Sequence, residues 1–330
     1  MTTEKECAAL SAIVCNPKFV VSARPRALPP PKGWSALTDV DARTDQQGFR
    51  VRAYVNAHDD AVLAFDGPDF IGEALAASNE AEEFLINVAL DMGLACYTGA
   101  LQRATHAFGL LRRRADERGF DPGRIVFTGH GVGGGIASVL AVWFDQPCTV
   151  FAQAPMRAVA LTPGDFARAL YTMEALFGGA DGAVKALQGF IRHPKEVLAQ
   201  REQLRVTHWH LRGEVYAPLR SSATAIQGVE HAIDIGIHPP TLKTSLALHD
   251  MALHAAMLFD PRLPLMCQAS PELLSLLIDR EDGSDLVDAL ISDQHEAGLE
   301  VESTLQRFLT GLEWRGEGQA DGLLSATAAR

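Results

Sequence analysis

The residues best placed to do chemistry lie in one stretch, Ile125-Val126-Phe127-Thr128-Gly129-His130-Gly131-Val132-Gly133-Gly134-Gly135-Ile136. Ile125 to Thr128 is a short apolar run with β-branched residues, whereas Ile136, Val139 and Leu140 recur at helical spacing, so the period changes across the glycines. The stretch reads as strand, sharp turn, helix. On such a turn the pattern Gly-x-Ser-x-Gly projects a serine nucleophile above a sheet, because its small flanking residues let the chain turn tightly. Here the frame Gly129-x-x-x-Gly133 is intact, but the central residue is Gly131, which has no Oγ. Two phosphate-binding readings compete. A Walker loop requires a terminal Gly-Lys-Ser/Thr, and the stretch has no lysine. A dinucleotide fingerprint can be traced as Gly129-x-Gly131-x-x-Gly134, without an acidic residue about 20 positions on to close the unit. A purely structural turn is the remaining alternative.

Other reactive groups are scattered. His208 and His210 stand two apart on the expected strand Arg205 to Leu211, hence on one face, but no nearby cluster in the sequence supplies a third ligand. No metal and no other cofactor is therefore expected. His58 falls in a turn and reads as a solvated side chain. Arg112, Arg113 and Arg114 fall near the end of an expected helix, where cations complement the macrodipole, a simpler account than a phosphate grip. The five cysteines are widely spaced and without CxxC pairing, so they read as small buried hydrophobes.

The chain of 330 residues is 47% hydrophobic, enough for a packed core. A net charge of −12 argues against nucleic acid or an anionic membrane as an electrostatically captured partner. No stretch approaches the roughly 20 unbroken apolar residues of a membrane span. Glu4, Lys5 and Glu6 precede a short apolar run without a basic leader, so a cytoplasmic location is expected, with leaderless secretion left open.

The elements that must position the turn can be read in order. A helix is expected over 7–15, then a proline-rich connector from Arg24 to Gly33. Phe49 to Val55 alternates at period two, Asn56 to Asp60 supplies turn residues and Ala61 to Phe65 is wholly apolar, which makes a β-hairpin. Helices are expected over 78–91 and 97–118, strands at Thr149 to Ala152 and Arg205 to Leu211, and several helices over 163–203 as an insertion above the sheet. Leu242 to Leu258 carries His249 and His254 near or within a helix.

Taken together these pieces resemble the bacterial class-3-lipase-like proteins of the α/β-hydrolase fold. The resemblance runs from about residue 8 to about residue 260 and rests on Ala8-Ala9-Leu10-Ser11-Ala12, Leu28-Pro29 through Gly33-Trp34, the hairpin from Gly48-Phe49 to Phe65, the elbow, and Val150-Phe151 followed by Ala154-Pro155. It implies a central, mostly parallel sheet flanked by helices, with a helical insertion and a helical C-terminal extension. The expected division is a lipase-like domain over 1–262 including the insertion at about 163–203, a packed helical extension over 263–314, and a disordered tail over 315–330.

The resemblance also implies a Ser–acid–His triad in that chain order. Position 131 takes the nucleophile's place and is glycine. The acid falls on the Gly213-Glu214 step and so is Glu214; the histidine falls on a His-x-Met step at His249, with His254 the fallback. The oxyanion donors fall on Val132 and on position 68, where Phe65-Asp66-Gly67-Pro68-Asp69 replaces the family's Phe-Arg-Gly-Thr-Asp and Pro68 has no N–H. Losing one donor costs roughly 10²- to 10³-fold in rate. Losing the serine costs on the order of 10⁶. Ser138, seven residues along the helix, sits roughly 10 Å from the elbow by helical rise and cannot replace it.

The implied activity is a carboxylic ester hydrolase scaffold, inactive as written: a pseudoenzyme holding an acyl or lipid ligand, or a protein partner, in its old cleft. Two alternatives accompany it. One is an active lipase or esterase with a Ser–Glu–His triad whose nucleophile has been substituted; the other is a protein-interaction module with a vestigial cleft.

Overall fold

The computed structural model describes residues 2–15, 30–43, 49–67, 98–177, 185, 188–220, 224–237 and 240–270. Its centre is a seven-stranded sheet: β1 (Trp34–Arg43), β2 (Arg50–Asn56), β3 (Ala61–Asp66), β4 (Ile125–His130), β5 (Cys148–Phe151), β6 (Val206–Leu211) and β7 (Val229–Ile233), adjacent in chain order. β1, β2 and β3 pair antiparallel, and every pair from β3 to β7 is parallel. The helices are α1 (Glu4–Cys15), α2 (Thr98–Arg118), α3 (Gly131–Phe144), α4 (Arg157–Ala160), α5 (Pro163–Phe177), α6 (Pro194–Arg205), α7 (Leu242–Ala247), α8 (Met251–Phe259) and α9 (Leu263–Ala269). This mixed, mostly parallel sheet with helices on both faces has the architecture of an α/β-hydrolase fold.

Parallel strands are covered on both faces, and β3 reads accordingly, buried at every position. Its side chains divide by the period of two. Leu63 and Phe65 join the cluster made with Phe108 and Leu111 of α2 and Ile136, Val139 and Leu140 of α3. Val62 and Ala64 join Leu10, Ile13 and Val14 of α1 on the other face. Phe127 of β4 meets Phe108 edge-on, their centroids 4.9 Å apart. At that face T-shaped contact adds about 0.5–1.5 kcal/mol beyond the area buried.

Several expectations shift by a residue or more. The first helix begins at Glu4, and Arg205 closes α6 where a strand was expected to begin. β1 and β7 are strands that the patterning does not single out. Within 163–203, α5 packs along α2 and α6 along α3. The expected helix at 78–91, Pro68, and the expected extension and tail beyond residue 270 lie outside the described residues. Among the described residues, no helix is long and apolar enough to cross a membrane.

Candidate active site

β4 runs into α3 without an intervening loop, since His130 is extended at φ −125° and Gly131, the first helical residue, has φ +54°. A left-handed residue other than glycine costs roughly 1–2 kcal/mol, and glycine at 131 adopts this turn without that cost. The frame glycines serve a second purpose. A Cβ on Gly133 would stand 2.3 Å from the carbonyl oxygen of Phe65, and one on Gly129 would stand 2.7 Å from the backbone of Gly133. Only bare backbone lets α3 begin this close to the ends of β3 and β4.

Glu214 follows β6 in a turn that includes Gly213 at φ +90°. It is wholly buried. Its Oε2 accepts from the backbone N–H of Tyr216 at 2.9 Å and lies 2.9 Å from Nδ1 of His249. Its Oε1 is ion-paired with Arg220, whose side chain is itself buried. Burial alone would raise the carboxyl's pKa, but Arg220, His249 and the Tyr216 N–H together hold it well below the usual carboxylate range. Glu214 is thus ionised.

His249 occupies the turn between α7 and α8, with its N–H bonded to the carbonyl of Leu246. With Nδ1 facing an ionised carboxylate, the proton is assigned to Nδ1 and the lone pair to Nε2. Nε2 points at position 131: a Cβ on Gly131 would stand 3.1 Å from it. Tyr216 meets the imidazole edge-on at 4.7 Å, and His130 lies 4.4 Å away between ring centroids.

His254, the fallback, has both ring nitrogens engaged by the backbone. Nδ1 donates to the carbonyl of Asp250 at 2.7 Å and Nε2 accepts from the N–H of Leu211 at 3.3 Å. Burial lowers its pKa to about 3. It ties α8 to the end of β6 and offers no free nitrogen to a reacting atom. Ser138 is likewise committed: its buried Oγ bonds the carbonyl of Gly134 at 3.0 Å and Oε1 of Gln153 at 2.6 Å.

Val132 stands in the first turn of α3, where backbone N–H groups have no intrahelical acceptor. Gly67, at the end of β3, packs so closely that a Cβ on it would lie 2.4 Å from Cβ of Val132. The structure therefore brings Gly131, Val132, Glu214 and His249 to one end of the parallel strands, fed by β4, β6 and the α7–α8 turn.

No protein-family model and no curated protein matches this chain. Among solved structures, it is similar to carboxyl esterase 2 from the mycorrhizal fungus Tuber melanosporum, at 13% identity and a TM-score of 0.31 over 78% of this chain and 97% of that one.

A second constellation lies along β6. His208 and His210 share a face, their rings stacked at 5.1 Å, and β7 places Glu230 directly opposite His208. One ligand atom from each of the three falls within 4.8 Å of the others. The sequence offers the histidine pair but conceals the third member, because Glu230 becomes a neighbour only through a strand marked by weak alternation.

Proposed function

We propose that this chain is a lipase-like carboxylic ester hydrolase scaffold that retains its acid–histidine pair and lacks its nucleophile. Glu214 would orient His249, and His249 Nε2 would take the proton of a serine hydroxyl if position 131 carried one. With glycine there, no acyl-enzyme can form at that position. What remains is a set of N–H groups at the start of α3 that can donate to a carbonyl or carboxylate oxygen, beside a lone pair on Nε2 that can accept from the O–H of a carboxylic acid or of a bridging water. The cleft on this reading holds an acyl or lipid ligand.

The observation that carries this reading is the aim of His249 Nε2 at position 131, 3.1 Å from where a Cβ would stand, while Nδ1 is tied to Glu214. A buried ion pair is often replaceable by apolar residues without loss of stability. An aligned Glu–His–Arg cluster therefore supports a cleft that still meets a ligand. The same alignment favours a second reading, an active Ser–Glu–His hydrolase from which only the serine has been substituted.

Two measurements on the unmodified protein test the proposal: hydrolysis of short-chain nitrophenyl esters, and calorimetric titration with octanoate. Turnover should not exceed that of His249→Ala, and octanoate should bind with at least tenfold lower affinity to His249→Ala. Ester turnover that His249→Ala abolishes would contradict the proposal.

A further inference from the structure

We propose that β6 and β7 carry a divalent transition-metal site of the Zn²⁺ type, formed by His208, His210 and Glu230. This site is separate from position 131 and does not depend on how the cleft is read.

Two imidazole nitrogens and a carboxylate oxygen are the donor set that zinc accepts when a fourth position is left to water. The strand pair presents them together. His208 and His210 point from the same face of β6, and Glu230 is the cross-strand partner of His208 in the parallel register. Nδ1 of His210 and Oε1 of Glu230 are already 3.4 Å apart. Tetrahedral ligands held at roughly 2.0–2.2 Å from a zinc ion stand about that far from one another.

The second observation concerns His210 itself. Its side chain is 9% exposed, and Nδ1 is buried without a hydrogen-bond partner. A buried polar atom of this kind is unfavourable unless something satisfies it. A cation shared with Glu230 would do so.

Two features oppose binding, and both are small beside a coordinate bond. Nε2 of His208 accepts a 3.3 Å bond from the N–H of Gln153. Whichever nitrogen of His208 takes the metal, that bond is lost, since ligation through Nδ1 moves the proton to Nε2. That leaves the buried Gln153 N–H without its acceptor, a penalty that coordination by two imidazoles and a carboxylate outweighs. The positive charge of Arg220 also acts on both histidines, but it is opposed locally by Glu214. A metal here would clamp β7, the last strand of the described sheet, onto β6, which leads into the turn bearing Glu214.

The test is a titration of the full chain, stripped with EDTA and dialysed, with Zn²⁺ by calorimetry and with Co²⁺ by visible absorption. One equivalent should bind, Co²⁺ should give the intense bands of a tetrahedral site, and the thermal midpoint should rise with Zn²⁺ concentration. Glu230→Gln, at a side chain 53% exposed, should weaken binding at least tenfold without harming the fold, and His210→Ala should abolish it. His58→Ala, in the exposed hairpin turn, should leave it unchanged. Absence of saturable binding, or equal affinity in Glu230→Gln and the unmodified chain, overturns the site. Should His210→Ala fail to fold, Glu230→Gln decides alone.

Discussion

Nε2 of His249 and the Cβ position of Gly131 are 3.1 Å apart, and the imidazole reaches that point only because Nδ1 is held 2.9 Å from Glu214. The separation is slightly tighter than a relaxed contact, so a serine at 131 requires the ring to retreat by a few tenths of an ångström. The same retreat would bring a hydroxyl into hydrogen-bond range. Glu214, His249 and position 131 thus form one line from the end of β6 to the head of α3.

The ion pair behind that line should matter to stability. Arg220→Ala leaves Glu214 buried with only His249 and the Tyr216 N–H for company, and breaking a buried pair from one side costs about 3–5 kcal/mol. Urea unfolding at pH 7 should register a loss of that size. A loss below about 1 kcal/mol, the range of exposed pairs, would mean that Arg220 is not buried against Glu214.

Backbone contact at the elbow should be intolerant of even a methyl group. Gly133→Ala places a Cβ 2.3 Å from the Phe65 carbonyl oxygen, where neither partner is a flexible side chain. A cost of about 1–3 kcal/mol or more is expected. Gly164→Ala, in the exposed first turn of α5 with nothing within 4 Å, should instead be neutral or stabilising by up to about 1 kcal/mol. Comparing denaturation midpoints checks both.

Stability should fall on mild acidification. His254 has its pKa lowered from 6.5 to about 3, so below pH 6.5 the unfolded chain takes up a proton that the folded chain refuses. Stability from this group is fully present above 6.5 and declines until about pH 3. Buried His130 and His208 are shifted in the same direction. Glu214, held below its ordinary 4.5, adds a further loss as pH falls from about 4.5 towards its depressed folded value. Urea midpoints measured from pH 7.5 to 4.5 should decrease monotonically. His254→Leu should lower the plateau, because it strands the Asp250 carbonyl and the Leu211 N–H, yet flatten the slope between 6.5 and 4.5. An unchanged slope would mean that His254 titrates normally.

The hairpin and the elbow were legible because each is written in local chemistry. Asn56 to Asp60 supplies a turn between two apolar runs, and the Gly129–Gly133 frame marks an abrupt change of period. Glu214 and His249 are different. Nothing local distinguishes a buried carboxylate after Gly213, so only resemblance to a family points to their pairing, and the structure sets them 2.9 Å apart. The preference for His249 over His254 likewise needed three dimensions, because it depends on which ring nitrogens the backbone has already claimed. β1 and β7 are faint in the sequence for a physical reason as well. β1 carries a register shift between Leu37 and Ala42, and β7 holds Glu230 and His231 with little apolar alternation, so neither has the steady period that betrays a strand. Glu230, the third member of the histidine cluster, sits on β7 and is as faint as that strand.

If Glu214 and His249 still serve position 131, restoring a serine there should restore reactivity, and the most direct test is fluorophosphonate labelling of Gly131→Ser beside the unmodified chain. The unmodified protein should take no label. Gly131→Ser should be labelled and should hydrolyse short-chain esters, with both properties lost on adding His249→Ala. If folded Gly131→Ser stays unlabelled, and Gly131→Ser with Pro68→Thr stays unlabelled too, then Glu214 and His249 do not serve position 131 and the account is wrong.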